Sequence, residues 1–172
     1  MKAKRLKFLV SSLVLLVISM FAINSAYAGW HEWSQNSRNQ AILNEAYRDI
    51  NKPVGLCCKD WAKRVVKNAS NRLVALPATT DCYPYYYWKP SKDVLSRSGR
   101  IESAVPGEIV QMYTIYNHPH TAIVYGISKS GVTFIESNWC SNNCQIVKTR
   151  YIDFAAFYKQ VRGADFTINT IL

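Results

Sequence analysis

Apolar residues recur at helical spacing in two segments of the first half of the chain, residues 34–50 and 58–70. Because polar residues fill the positions between them, each segment predicts an amphipathic helix with one buried face. Pro53 and Gly55 end the first segment. The apolar positions are Ala41, Ile42 and Ala46 in the first segment and Ala62, Val65, Val66 and Ala69 in the second.

The second half of the chain has a pattern typical of strands. Two apolar runs within residues 120–139 flank a polar turn from Ser128 to Gly131, which predicts a β-hairpin. Helices followed by strands predict an α+β fold, in which N-terminal helices pack on an antiparallel sheet. The other predicted elements are strands at 108–113, 145–150 and 164–168 and a short helix at 152–160.

Between these halves, residues 71–100 show no periodicity. This stretch contains an aromatic run bounded by Pro84 and Pro90. Since proline is disfavoured in central strands, the stretch is predicted to be a long loop over the body of the domain, of undetermined role. The aromatic residues are Tyr83, Tyr85, Tyr86, Tyr87 and Trp88.

The N-terminus has the three parts of a secretory signal peptide. A basic start is followed by an apolar run from Phe8 to Ala22 and by small residues at Ala26 and Ala28. Residues 1–28 are therefore predicted to be a signal peptide, and residues 29–172 a single domain with no membrane span after cleavage. We expect export to the periplasm or the medium. An uncleaved signal anchor is the alternative.

The formal net charge of the 172-residue chain is +10, and four of the positive charges lie within the leader. A basic exported domain suits an anionic surface such as the bacterial cell wall. The basic residues are scattered and no nucleic-acid motif is present, so nucleic acid is not expected as a partner.

The chain has five cysteines, and an odd number leaves one thiol unpaired in an oxidising compartment. Cys140 and Cys144 are close enough in sequence to close a short loop. Pairing of Cys57 with Cys82 would then leave Cys58 free. This connectivity is a hypothesis, since five cysteines allow many others.

Four residues supply the parts of a thiol-dependent acyl transfer. Cys58 falls in the first turn of the second predicted helix, where unpaired N–H groups and the helix dipole favour a thiolate. Folding of the hairpin places His120 opposite or beside Asn138, with Glu136 one step along the same face. This arrangement predicts a nucleophile, a general base and an orienting group, with the backbone N–H of Cys58 facing the oxyanion. The choice between Glu136 and Asn138 as the orienting group depends on hairpin register and stays open.

These residues resemble the CHAP family (cysteine, histidine-dependent amidohydrolases and peptidases) of papain-like cell-wall hydrolases. The resemblance spans about residues 54–168 and implies a papain-like fold with Cys58, His120, Glu136 and Asn138 as the catalytic residues. It also implies hydrolysis of amide bonds in peptidoglycan peptides with no metal or other cofactor; whether a cognate inhibitor binds stays open. The motifs are C-x-x-W at Cys58–Trp61, PGEIV at Pro106–Val110, HTAIV at His120–Val124 and IESNW at Ile135–Trp139.

Other interpretations of the same residues stay open. Taken singly, Cys58 is more typical of a small buried apolar residue, and His120 of a core histidine whose hydrogen bonds are satisfied. His118 and His120 form an H-x-H pair that Cys140 and Cys144 would complete as a zinc site. A mature N-terminus beginning at Gly29 would present Gly-Trp-His, a ligand set for Cu(II) or Ni(II). A non-enzymatic cell-wall or carbohydrate binder, using the aromatic run as a stacking surface, is the alternative function.

Overall fold

The computed structural model describes residues 29–79, 85–137 and 146–172. The predicted signal peptide lies outside these residues. The described residues divide into two units, 29–33 and 34–172. In the described part of the first unit, a short helix, α1 (Gly29–Glu32), carries Trp30, whose ring meets that of Trp33 at 5.9 Å between centroids. No helix within the described residues is long and apolar enough to cross a membrane.

Within its described residues, the second unit has three α-helices, a short 3-10 helix (Ile101–Ser103) and a six-stranded sheet. The sheet order is β1-β6-β2-β3-β4-β5, and every neighbouring pair is antiparallel. The helices are α2 (Gln35–Tyr47), α3 (Cys58–Ala69) and α4 (Phe154–Gln160). The strands are β1 (Val94–Arg97), β2 (Ile109–Thr114), β3 (Pro119–Ile127), β4 (Gly131–Ser137), β5 (Val147–Asp153) and β6 (Val161–Ile171). The predicted α+β class is confirmed.

Local sequence signals explain the helix starts. Ser34 caps α2 by accepting a hydrogen bond from the Ser37 N–H at 3.2 Å, and Asp153 caps α4 by accepting from the Ala156 N–H at 2.8 Å. The buried face of α3 contains Ala62, Val65 and Val66, as the helical spacing predicts.

One strand falls inside the predicted loop. Residues 71–79 and 85–93 contain no helix or strand, but β1 at Val94–Arg97 pairs with the end of β6. β6 is also longer than the predicted strand at 164–168, because it pairs with β1 along one edge and with β2 along the other. Neither pairing is visible in local periodicity.

Strand β2, and β3 from His120 to Val124, are buried on both faces of the sheet. On one face α4 places Phe157 in a core with residues from β2, β3, β4 and β6, including Val110, Val124, Phe134 and Ile168. Helix α2 packs against α3, and α3 packs against β3 and β4. Because successive side chains of a strand point to opposite faces, the side chains of β3 lie in two different environments, one on each face of the sheet.

The tight turn before β2 fixes how the sheet meets α2. Gly107 has φ +90°, and a Cβ at this position would lie 2.5 Å from the carbonyl oxygen of Asn39. The buried Glu108 side chain accepts hydrogen bonds from Arg97 at 2.7 Å, from the Val105 N–H at 2.9 Å and from the Thr170 hydroxyl at 2.5 Å. The carboxylate thus ties β1, β2 and β6 together.

Candidate active site

Cys58 is the first residue of α3, as predicted. It is 8% exposed and its thiol is free. Cys57 precedes it in an extended conformation, with φ −70° and ψ 165°, as the residue that caps the helix. Cys58 therefore lies at the positive end of the helix dipole, where a negative charge on sulfur is stabilised.

Two groups of contacts hold the start of α3 in place. The indole N–H of Trp61 donates to Asp49 at 2.9 Å, and Arg64 pairs with the same carboxylate at 2.5 Å. On the other side of Cys58, the Ser137 hydroxyl at the end of β4 donates to the Leu56 carbonyl at 3.0 Å. The chain just before Cys58 is thus fixed against the strand that carries Glu136.

The imidazole of His120 lies between that strand and α3. His120 is the second residue of β3, and strand alternation places it on the same face as Glu136. The His120 Nε2 atom lies 3.0 Å from a carboxylate oxygen of Glu136, and both side chains are buried. Glu136 also forms an ion pair with Arg150 of β5, whose Nη2 lies 3.1 Å from the same carboxylate.

The thiol and the imidazole contact one another. The Cys58 sulfur hydrogen-bonds the His120 side chain and the backbone N–H of Thr121. Burial alone would raise the pKa of the Cys58 thiol, but the hydrogen bond and positive charge of His120 outweigh burial. The Thr121 N–H and the Tyr86 hydroxyl add to this effect, so the pKa of Cys58 lies below its ordinary value.

The same contacts shift the pKa of the His120 imidazole in the opposite direction. Burial would lower the pKa of His120, but hydrogen bonds and charges from Cys58 and Glu136 raise it to about 9. Burial would raise the pKa of Glu136, but His120 and Arg150 together hold it below its ordinary value. Thiolate, imidazolium, carboxylate and guanidinium thus form a row of alternating charges that stabilise one another.

Of the four predicted site residues, the structure brings together Cys58, His120 and Glu136. Asn138 lies outside the described residues. Glu136 and Asn138 were the two candidates for the group that orients His120. Of these, Glu136 contacts the imidazole directly.

Two neighbours of this site were not predicted. Arg150 was missed because nothing in its own segment shows that β5 lies beside β4. Tyr86 was part of an aromatic run of undetermined role, yet its hydroxyl lies 3.7 Å from the Cys58 sulfur. The sequence signal for Tyr86 was the unusually high number of aromatic residues in the predicted loop. That number does not indicate which of the aromatic side chains is buried.

The predicted pairing of Cys57 with Cys82 is not seen among the described residues, and Cys82 itself lies outside them. Cys57 has a free, exposed thiol that donates to the Asp60 carboxylate at 3.4 Å. The reason is its capping position, which directs the thiol back onto the first turn of α3. The proposed Cys140–Cys144 bridge lies outside the described residues.

The rival zinc site depended on the same two cysteines and on His118. His118 is exposed in the turn before β3, whereas His120 is buried against Glu136. Across the part of the chain that the structure describes, no group of three His, Cys, Asp or Glu side chains is arranged to hold a metal ion.

Comparison with known proteins gives a likeness of fold. No family model matches the chain, and no curated protein matches it. Two solved structures of Ly7917 are similar. One, a complex with the hydrolyzing product of MDP, has a TM-score of 0.53 at 16% identity and covers 77% of this chain. The other has a TM-score of 0.56 at 19% identity and covers 76% of this chain.

The chain spans 63% and 61% of the length of these two structures. At such low identity the likeness concerns the fold, an α+β arrangement consistent with the papain-like class.

Proposed function

We propose that this protein is an exported cysteine hydrolase that cleaves amide bonds in peptidoglycan peptides through a thioester. The main support for this proposal is a row of buried side chains in contact, Cys58 with His120 and His120 with Glu136. The Cys58 sulfur lies at the N-terminus of a helix. A low-pKa thiol, an adjacent imidazole and a carboxylate behind it are the groups that acyl transfer from an amide requires.

The steps follow from this geometry. The Cys58 thiolate attacks the carbonyl carbon of the scissile amide, and the carbonyl electron pair moves onto oxygen. The backbone N–H of Cys58, at the start of α3, faces this oxyanion. The imidazolium of His120 then gives its proton to the departing amine, leaving a thioester.

Deacylation reverses the roles. Neutral His120 takes a proton from water, the hydroxide attacks the thioester, and Cys58 leaves as a thiolate beside the regenerated imidazolium. Glu136 holds the ring so that one nitrogen faces the sulfur, and it stabilises each imidazolium. Arg150 keeps Glu136 ionised throughout.

Two further observations support peptidoglycan as the substrate class. A protein of similar fold has been crystallised with the hydrolyzing product of MDP, which we take to be muramyl dipeptide, a peptidoglycan fragment. The motifs around Cys58, His120 and Glu136 resemble those of CHAP domains. Cleavage of the leader after Ala28 would deliver the domain to this substrate. We therefore include export in the proposal.

Mass spectrometry of peptidoglycan digests tests the proposal. We expect wild type to release new amine and carboxyl termini, and Cys58→Ser to release none. Cys57→Ser is the matched control, because it removes the neighbouring exposed thiol and should leave the products unchanged. Loss of activity in Cys57→Ser with retention in Cys58→Ser would contradict the assignment.

The same experiment addresses the binding alternative. If wild type releases no products but wild type and Cys58→Ala sediment equally with purified walls, the protein is a wall binder. N-terminal sequencing of the protein secreted by its host tests export, and a chain beginning at Met1 would contradict cleavage at Ala28.

A further inference from the structure

Tyr86 comes from the aromatic segment after α3, yet its side chain is buried beside the thiol. Its exposed fraction is 1%. The hydroxyl lies 3.7 Å from the Cys58 sulfur and 2.5 Å from the Thr121 hydroxyl oxygen. A phenol that is buried directs its one polar group to a partner, and here one partner is the candidate nucleophile.

The number of hydrogens fixes the direction of these bonds. A Cys58 thiolate has no proton, so in the ionised form the hydrogen shared with Tyr86 belongs to the phenol. Tyr86 has only that one hydroxyl hydrogen, so Thr121 must donate to the Tyr86 oxygen. The resulting chain runs from Thr121 through Tyr86 to sulfur, and each bond polarises the next.

The Tyr86 ring is held from several sides. The Lys59 ammonium lies 4.4 Å from the ring centroid, a cation–π contact, and the Tyr87 ring meets it edge-on at 6.0 Å. The backbone carbonyl of Tyr86 accepts a hydrogen bond from the Gln111 side chain at 3.4 Å. Lys59 is itself only 3% exposed, so its side chain is packed in a fixed position against this ring. The hydroxyl is therefore preorganised for a negative charge.

We propose that Tyr86 is a further catalytic residue, whose hydroxyl donates to the Cys58 thiolate before attack and to the substrate oxyanion after attack. This inference rests on the proposed function. During attack a sulfur electron pair forms the S–C bond and the carbonyl π pair moves onto oxygen. The sulfur then becomes a thioether-like atom, which is a weak acceptor, so the hydroxyl turns towards the new anion.

Tyr86 keeps its own proton in every step. When the tetrahedral intermediate collapses, the electron pair returns to the carbonyl and the C–N bond breaks. The proton that the amine requires comes from His120. Tyr86 thus stabilises charge without exchanging a proton, in the manner of an oxyanion-hole donor.

Tyr86→Phe removes the hydroxyl and keeps the buried ring. We expect kcat to fall by about 10- to 100-fold with KM changed by less than about threefold, since the lost bond acts on charge that develops in the transition state. We also expect the pH profile of iodoacetamide alkylation of Cys58 to move to higher pH. Tyr87→Phe is the matched control, because the Tyr87 hydroxyl donates to Asp165 at 2.8 Å and not to the site.

A second pair of variants covers the case in which Tyr86→Phe fails to fold. Thr121→Val removes the hydroxyl that orients Tyr86 but leaves the Thr121 backbone N–H, and should lower kcat by about 3- to 10-fold. Thr121→Ser should restore it. Equal activity of the Val and Ser variants, or a folded Tyr86→Phe with unchanged kcat and alkylation profile, would overturn the proposal.

The alkylation assay uses no peptidoglycan, which separates the two hypotheses. If wild type cleaves no wall peptide but Tyr86→Phe still shifts the alkylation profile, the proposed substrate is wrong and the contact of Tyr86 with the thiolate stands. If wild type cleaves wall peptides and Tyr86→Phe matches it, the proposed function stands and this inference is wrong.

Discussion

Replacing Glu136 with Gln removes one negative charge from the buried row of ionised groups and keeps the size of the side chain. The Gln oxygen still accepts a hydrogen bond from the imidazole, so ring orientation is retained. What is lost is the attraction between the carboxylate and the imidazolium of His120, 3.0 Å apart. The Arg150 guanidinium also loses its anionic partner.

The magnitude follows from that distance. Two unit charges 3.0 Å apart attract by about 5.5 kcal/mol at an effective dielectric constant of about 20. The retained neutral hydrogen bond returns about 1 kcal/mol of this. A net loss of about 4.5 kcal/mol corresponds to a fall in kcat/KM of about 10³-fold. Glu136→Gln should also lower the pKa of His120 and raise that of Cys58.

Two assays measure these effects. Release of amines from peptidoglycan gives kcat/KM, and iodoacetamide alkylation across pH gives the ionisation of the thiol. Glu108→Gln is the matched control, since Glu108 is also buried and is also paired with an arginine, Arg97, at 2.7 Å. This pair lies at the end of β2 that is opposite to the site. We expect Glu108→Gln to lower stability but leave the alkylation profile unchanged.

The reasoning is refuted by one clear result. If folded Glu136→Gln keeps kcat/KM within about threefold of wild type and alkylates with the wild-type pH profile, the carboxylate does not stabilise the imidazolium. Equal shifts in Glu136→Gln and Glu108→Gln would also refute it, because the effect would then reflect general destabilisation.

Two other predictions concern pH and packing. His120 has a folded pKa of about 9, above its ordinary value of about 6.5, so the stability from its protonation is complete below about pH 6.5 and is lost as the pH rises through about 9. kcat/KM and the melting temperature should fall together in that range, and a flat profile there would contradict the ion pair. Gly107→Ala should lower the free energy of unfolding by at least about 2 kcal/mol, measured with urea, because of its positive φ and the 2.5 Å approach to Asn39. Gly126→Ala has open space around it and should change stability little; equal losses in both variants would contradict this account.

The sequence by itself determined the elements on which the site is built. Helical spacing after Cys58 predicted α3, and alternation around a polar turn predicted the hairpin of β3 and β4. These signals are local, because period 3.6 and period 2 are properties of single segments. Alternation within each strand, together with strands folded back symmetrically about the polar turn, predicted that His120 and Glu136 share a face.

Tertiary structure decided which groups complete the site. Arg150 reaches Glu136 only because β5 lies beside β4. Tyr86 reaches Cys58 only because residues 86–88 contact β2 and β3 beside the start of α3. The edge strand β1 depends in the same way on β6. Which strands pair depends on packing and hydrogen bonding in the whole sheet. The local sequence pattern of one strand does not indicate which other strand lies beside it. For that reason the positions of Cys58, His120 and Glu136 beside one another were predictable, whereas the contacts of Tyr86 and Arg150 with them were not.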